Sequence, residues 1–230
     1  MTEATPSLLD SGSGQGSEFA DRLAALYSGV VYDIMRARGL QPGVLPPGIV
    51  ALERGTRLAG PVWTVRGSLV ERADAHETLL DWTRMLSRAP AGSVVICQPD
   101  NQKIALLGEL SAEALKVRGV RGYVVDGGCR DTAFIRNLSF PVFCRFTTPR
   151  DIVDRWLTTE LGGSVTIGDV VVATGDYVLA DDDGVIVVPG DQAVEVVTAS
   201  EEAVAVENKV RTAILAGSAP EDAYLQYGKF

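Results

Sequence analysis

The stretch from Gly122 to Asp131, Gly-Tyr-Val-Val-Asp-Gly-Gly-Cys-Arg-Asp, constrains the fold and the chemistry of this chain more than any other segment. An apolar run is followed by a carboxylate, two glycines and an adjacent Arg130–Asp131 pair. This order predicts a buried strand over Tyr123–Asp126 that brings charged side chains to a cleft at its carboxyl end. An arginine beside an aspartate could bind an anionic substrate and a divalent cation in one small volume.

Segments with helical and extended patterns alternate on both sides of this strand. Strands are predicted over Leu58–Val65, Ser93–Cys97, Ile104–Leu107 and Pro141–Arg145, and helices over Glu18–Arg38 (broken near Ser28-Gly29), Ala75–Ser87, Glu109–Arg118 and Thr132–Asn137. The C-terminal third is β-rich, with strands predicted over Ser164–Ile167, Val170–Thr174, Tyr177–Ala180 and Val185–Val188. A long helix, Gln192–Ala216, closes the fold. The patterns therefore predict one α/β domain whose βαβ-like centre packs against a β-rich C-terminal part.

Length and composition limit the classes of protein to consider. The 230 residues suffice for one large domain, which we place at 17–230, after a flexible tail over 1–16. The net charge of −9 argues against nucleic acid as a direct partner, so a role in RNA processing would act through a protein. The first residues have no basic start and no apolar core, so we expect no signal peptide, and no segment approaches the roughly 18 consecutive apolar residues that a membrane helix needs. Its three cysteines, without a CxxC motif, indicate reduced thiols and a cytoplasmic protein.

The Arg130–Asp131 pair has two interpretations that the residues alone support equally. In the functional interpretation, the planar Arg130 side chain binds a substrate carboxylate and Asp131 is a ligand of Mg²⁺ or Mn²⁺. In the structural interpretation, Asp131 caps the helix that begins at Thr132, and Arg130 pairs with a surface acid.

A second candidate is the segment Gly108-Glu-Leu-Ser111, which ends an apolar run and begins a helix. Free backbone N–H groups at a helix start can bind a carboxylate. Glu109 lies 21 residues before Arg130, about one helix and one strand, so the two segments could share a cleft. Alternatively, Glu109 only complements the positive end of its helix.

Other polar residues favour structural roles. Asp181-Asp-Asp183 lacks the alternating ligand spacing of a calcium loop and predicts a hairpin turn. His76, the single histidine, is predicted to lie on the polar face of a helix, which argues against a Ser-His-Asp triad. We expect the Cys129 side chain to pack in the core and not to react. Among the lysines, Lys103 is the one modest candidate to form a Schiff base with a substrate carbonyl.

Taken together, three segments resemble the RraA-like family. They are Gly108-Glu-Leu-Ser-Ala-Glu-Ala, Gly119–Asp131 followed by Phe140-Pro-Val-Phe, and Gly175–Pro189. The resemblance covers roughly Ser17–Ala216, and its central block is the most specific part. This family includes class II aldolases for 4-hydroxy-4-methyl-2-oxoglutarate (HMG) and 4-carboxy-4-hydroxy-2-oxoadipate (CHA), and also the regulator of ribonuclease activity A.

The resemblance implies a swivelling β/β/α-type fold that assembles as a homotrimer or hexamer, with the active site near a subunit interface. It implies that Arg130 binds substrate and that Asp131 holds a divalent metal. Glu109 falls on the acid that orients a water on the metal, and the backbone at Gly108, Leu110 and Ser111 falls on the pyruvate carboxylate site. Two positions depart from the aldolases, since Glu109 replaces an aspartate and Phe134 replaces an acid.

The expected activity is therefore that of a metal-dependent lyase that forms pyruvate from a 4-hydroxy-2-oxo acid, and that can also decarboxylate oxaloacetate. The competing expectation is a non-enzymatic protein that regulates a ribonuclease by binding it. A methyltransferase is not supported, because no glycine-rich cofactor loop follows an early strand.

Overall fold

The structure, a computed structural model, describes residues 13–230. The helices are α1 Ser13–Ala25, α2 Ser28–Ala37, α3 Ala75–Arg88, α4 Glu109–Val117, α5 Thr132–Leu138, α6 Ala193–Leu215 and α7 Pro220–Tyr227. The strands are β1 Gly43–Val44, β2 Val50–Ala51, β3 Leu58–Leu69, β4 Val94–Gln98, β5 Gly122–Cys129, β6 Val142–Thr147, β7 Trp156–Leu161, β8 Ser164–Ile167, β9 Val170–Ala173, β10 Tyr177–Asp181 and β11 Gly184–Val188. Residues 1–12 of the predicted tail lie outside the described residues, and 13–16 belong to α1.

The long strand β3 joins two halves of one curled sheet. In β3, residues 58–61 pair antiparallel with β10, and residues 62–66 pair parallel with β4. Strands β4, β5 and β6 continue the parallel half, and helices α3, α4 and α5 connect its strands. Because parallel strands share one direction, β4 and β5 end at the same edge of the sheet. The starts of α4 and α5 are therefore brought to that edge.

Three hydrophobic clusters hold these layers together. One lies between the parallel half and helices α3–α5, and includes Tyr123 and Ile135. Another joins α1, α2 and α6 to the β10–β11 hairpin through residues such as Val197. The third is formed by residues of strands and their loops, with Phe143 and Val178 as members. Their burial removes apolar surface from water, which is the main driving force of folding.

The predicted α/β domain with a β-rich C-terminal part and a long closing helix is confirmed. The predicted break in the first helical segment is also confirmed, because α1 ends before α2 begins at Ser28. The predicted strand over Ile104–Leu107 is wrong, since this segment makes only one bridge, between Ala105 and Gly128. Strand β7 and helix α7 were not predicted. Across residues 13–230, the structure contains no helix with the length and apolar character that crossing a bilayer requires.

Candidate active site

Asp131 lies where β5 passes into α5, and its backbone is left-handed, with φ 55° and ψ 36°. Aspartate tolerates this conformation better than most residues, because its short polar side chain can form local hydrogen bonds. Asp131 occupies the N-cap position of α5, yet its side chain makes no capping hydrogen bond to that helix. Its Oδ2 atom accepts a hydrogen bond of 3.2 Å from the backbone N–H of Glu109 instead. The carboxylate thus faces the start of α4.

Gly108 allows this close approach. It is the N-cap of α4, and its φ of −132° is open to any residue. A Cβ atom added here would stand 2.6 Å from Asp131 Oδ2 and 3.1 Å from Arg130 Nε. Glycine is therefore required here because a larger side chain would clash with Asp131 and Arg130, and not because of the backbone conformation.

Arg130 lies between two carboxylates. Its Nε atom is 3.4 Å from Asp131 Oδ2, and its Nη1 atom donates a hydrogen bond of 3.3 Å to Asp151 Oδ2. All three side chains are more than a third exposed. Their charges are thus screened by water, and the pairs orient Arg130 more than they stabilise the fold. Asp151 was not predicted as a site residue.

These residues line a pocket of about 460 Å³ between α3, α4 and the loop that carries Asp151. All six residues predicted for the site line it: Gly108, Glu109, Leu110, Ser111, Arg130 and Asp131. The Trp82 indole Nε1–H donates a hydrogen bond of 2.9 Å to Ser111 Oγ, which fixes that side chain. The Leu110 side chain is 78% exposed, so Leu110 offers the pocket chiefly its backbone.

The start of α4 suits an anion. The N–H of Ala112 bonds back to the Gly108 carbonyl, so the N–H groups of Glu109, Leu110 and Ser111 precede the first helical hydrogen bond. Such groups, with the positive end of the helix dipole, attract carboxylates. Glu109 uses its N–H for Asp131. Leu110 and Ser111 are then the backbone groups suited to a ligand carboxylate.

The donor set at Asp131 fits one hard cation bound largely by water or substrate. Among residues 13–230, no group of three or more His, Cys, Asp or Glu side chains could hold a metal ion. Within the same part of the chain, Asp131 Oδ1 has no hydrogen-bond partner, whereas Oδ2 faces Glu109. Magnesium commonly binds through one or two carboxylates and keeps several waters. Asp131 could therefore be a single protein ligand for such an ion.

The other residues considered from the sequence, including Lys103 as the Schiff-base candidate, lie outside this pocket. His76 and Lys103 are exposed, and His76 belongs to α3, where its N–H bonds to the capping Asp74. Cys129 is buried, and a hydrogen bond with Cys144 together with burial raises the pKa of the Cys129 thiol. Phe134, where the aldolases carry an acid, is 57% exposed on α5 and does not line the pocket.

Comparison with known proteins decides the family. The family model described as RraA-like, Aldolase/RraA, matches residues 28–187, which is more than half of the chain. The chain belongs to the RraA-like family. The matched range includes α4, β5, α5 and every pocket residue discussed above.

Individual relatives agree with this membership. A protein of Halalkalibacterium halodurans with the provisional name 4-hydroxy-4-methyl-2-oxoglutarate aldolase is 29% identical over 63% of this chain and 65% of its own length. An uncharacterised protein from Pseudomonas syringae pv. tomato has a similar structure, with a TM-score of 0.83 at 25% identity over 99% of this chain and 98% of its own.

A third relative carries a different name. Streptomyces coelicolor RraAS2, described as an unusual member of the RNase ES inhibitor RraA family, has a TM-score of 0.74 at 28% identity, over 84% of this chain and 96% of its own. The chain spans between about a third and two-thirds of the length of the curated relatives it matches. The proteins similar to this chain thus include one named as an aldolase and one described as a member of an RNase inhibitor family.

Proposed function

We propose that this RraA-like protein is a divalent-metal-dependent, pyruvate-forming lyase for a 4-hydroxy-2-oxo acid of the HMG or CHA type, with oxaloacetate decarboxylation as a second activity. One observation carries the proposal. The Asp131 carboxylate turns away from its own helix and lies against the start of α4, beside Arg130 and inside the pocket. A residue that served only as a cap would instead bond to α5.

Each pocket group has a place in the reaction. The N–H groups of Leu110 and Ser111 bind the substrate carboxylate, and Arg130 neutralises charge at the 2-oxo end. A cation held by Asp131 supplies Lewis-acid stabilisation of negative charge at that end when bound. Glu109, at the pocket wall, holds and moves the proton of the C4 hydroxyl. Retro-aldol cleavage and oxaloacetate decarboxylation both leave the enolate of pyruvate, so these groups serve both reactions.

The test measures the release of pyruvate from HMG and from oxaloacetate with a coupled lactate dehydrogenase assay. Wild type is measured with Mg²⁺ and after EDTA treatment, and the Asp131→Ala and Asp131→Asn variants are measured with Mg²⁺. We expect EDTA and both substitutions to lower turnover by about 100-fold or more, because loss of the cation removes several kcal/mol of transition-state stabilisation. Equal turnover under all conditions would exclude the proposed role of the metal.

The second candidate function is regulation of a ribonuclease by direct binding. The similarity to RraAS2 over most of both chains favours it. A pull-down with an RNase E-type protein, run beside the turnover assay, separates the two functions. Binding without turnover would replace the lyase proposal, whereas turnover that depends on Asp131 would support it.

We also propose that the protein forms homotrimers or hexamers. Exposed apolar side chains on α4 and α5, the two helices that begin at the pocket, support an interface on these helices: Leu110, Val117 and Phe134 are 78%, 88% and 57% exposed. Light scattering coupled to size-exclusion chromatography measures the state directly, and a monomer would contradict this proposal.

A further inference from the structure

The hydroxyl of Ser111, at the third position of α4, is held as a hydrogen-bond acceptor by the core beside it. The indole Nε1–H of Trp82 donates a hydrogen bond of 2.9 Å to Ser111 Oγ. An indole nitrogen can only donate, so the serine oxygen must accept in this contact. The proton of the Ser111 hydroxyl is therefore directed away from Trp82.

Trp82 is itself fixed, so the fold sets the direction of this donor. Its side chain is buried, and its ring packs edge-to-face against Trp156, with ring centroids 5.8 Å apart. The indole N–H of Trp156 is anchored in turn, because it donates a hydrogen bond of 2.9 Å to the Pro99 carbonyl. A polar group held by such packing is oriented before a ligand arrives. All of these contacts are made within one chain, so they are present whichever surfaces an oligomer covers.

The Ser111 hydroxyl differs from other hydroxyls near the pocket. On α3, the hydroxyls of Thr83 and Ser87 each donate to a backbone carbonyl of their own helix, at 3.0 and 2.8 Å. Among residues 13–230, Ser111 Oγ makes its one hydrogen bond as the acceptor from Trp82. Its own proton can therefore be donated to a ligand in the pocket that Ser111 lines.

This proton lies at the end of α4 that suits an anion. The backbone N–H groups of Leu110 and Ser111 precede the first helical hydrogen bond of α4. A carboxylate offers about four lone-pair sites, so it can accept more hydrogen bonds than these two groups supply. The Ser111 hydroxyl adds a third donor at the same helix end. A hydrogen bond to an ionised group is stronger than one between neutral groups.

We infer that Ser111 binds the C1 carboxylate of the 2-oxo acid through its hydroxyl as well as through its backbone N–H, and that Trp82 is the positioning residue that aims this hydroxyl. The inference rests on the proposed lyase function and applies to HMG, CHA and oxaloacetate alike, since all three carry a carboxylate next to the 2-oxo group. In a purely structural role, Ser111 would only satisfy the buried indole N–H of Trp82 and would not contact the ligand.

The test measures the affinity for oxalate, whose adjacent carboxyl groups resemble the carboxylate and enolate oxygens of the pyruvate enolate. Isothermal titration calorimetry with excess Mg²⁺ compares wild type, Ser111→Ala, Trp82→Phe and the double variant. We expect Ser111→Ala to weaken binding by about 10-fold, because it removes a hydrogen bond to a charged group. Trp82→Phe keeps an aromatic ring without the N–H, and should weaken binding by about threefold. The double variant should lose about 10-fold and no more, because Trp82 acts only through Ser111.

Steady-state turnover of HMG gives a second readout. In Ser111→Ala, KM should rise by about 10-fold with a small change in kcat, because the carboxylate is bound equally in the substrate and the transition state. Ser87→Ala is the matched control, since it removes a helix hydroxyl that does not line the pocket. It should leave KM and the oxalate affinity unchanged. Thermal unfolding establishes that each variant is folded.

The outcomes separate this inference from the proposed function. Unchanged oxalate affinity and KM in a folded Ser111→Ala variant overturn the inference and leave the lyase proposal intact. A loss of about 30-fold in the double variant overturns the positioning role of Trp82, because losses that multiply show two residues acting independently. Wild type that neither turns over HMG or oxaloacetate nor binds oxalate overturns the lyase proposal and the inference together.

Discussion

The carboxylate of Asp131 accepts a hydrogen bond of 3.2 Å from the backbone N–H of Glu109, although the two residues are 22 positions apart in the chain. This contact connects the end of β5 to the start of α4. It also turns Asp131 away from α5, whose N-cap position it occupies. The contact is therefore the structural basis for assigning Asp131 to a site.

Gly108→Ala should disturb this contact without unfolding the protein. The new Cβ would stand 2.6 Å from Asp131 Oδ2, while the backbone of Gly108 suits alanine. We expect pyruvate formation to fall by about 10-fold, because small misplacements of reacting groups are costly. Thermal unfolding and steady-state turnover measure the two effects. Gly29→Ala is the control, because a Cβ atom at Gly29 would have its nearest neighbour, Cδ2 of Tyr27, at 3.5 Å, an ordinary contact distance. A similar loss of activity in the Gly29→Ala variant would contradict this explanation.

Asp131→Asn and Asp131→Ala should differ in stability. Residue 131 is left-handed, a conformation that asparagine tolerates and alanine does not. Asparagine also keeps an oxygen that can accept the Glu109 N–H. We expect the alanine variant to lose about 1 kcal/mol more unfolding free energy than the asparagine variant in urea titrations. Equal stability would show that the left-handed backbone at residue 131 carries no strain.

Asp151→Asn should weaken substrate binding more than it slows the chemical step. Asp151 accepts a hydrogen bond from Arg130 at 3.3 Å and one from the Val153 N–H at 3.2 Å. The amide oxygen can keep the second bond, so the loop should persist. We expect KM to rise by up to about fivefold, the worth of a partly exposed ion pair, with a small change in kcat. A large drop in kcat with unchanged KM would contradict a positioning role.

Alkaline pH should destabilise the fold through Cys97. Burial raises the pKa of this thiol to about 12 from its ordinary value of 9.0. The unfolded chain therefore loses the proton first, and the stability that the neutral thiol provides below pH 9 is lost as pH rises toward 12. Burial also raises the pKa of Tyr123, which acts in the same direction. The slope of unfolding free energy against pH should become shallower in Cys97→Ala by up to about 1.4 kcal/mol per pH unit. An unchanged slope would contradict this assignment.

The sequence predicted the centre of the fold well, because the signals there are local. The apolar run before Asp126 and the glycine after the α4 segment mark a strand and a helix end by their own residues. Ile104–Leu107 shows the limit of such patterns. It is apolar because it is buried beside β5, where the Leu106 N–H bonds to the Gly128 carbonyl, and not because it is a strand.

The candidate site was predicted where its residues adjoin strand and helix ends, and missed where only the fold brings them together. Nothing in the sequence around Asp151 indicates that it contacts Arg130, since the contact depends on how the following loop packs. The absence of a capping hydrogen bond from the Asp131 side chain to α5 likewise became evident only from the side-chain direction. The apolar face of α3 gave a helical pattern, but the pattern does not show that this face meets a pocket.

The central claim is that Asp131 binds a catalytic divalent cation. The most direct test is to measure Mn²⁺ affinity by electron paramagnetic resonance. Asp154→Asn is the matched control, because Asp154 is also left-handed and exposed but does not line the pocket. Wild type and the Asp154→Asn variant should bind Mn²⁺ equally, and Asp131→Asn should bind it at least about 10-fold more weakly. Equal Mn²⁺ affinity in all three folded proteins would contradict the account.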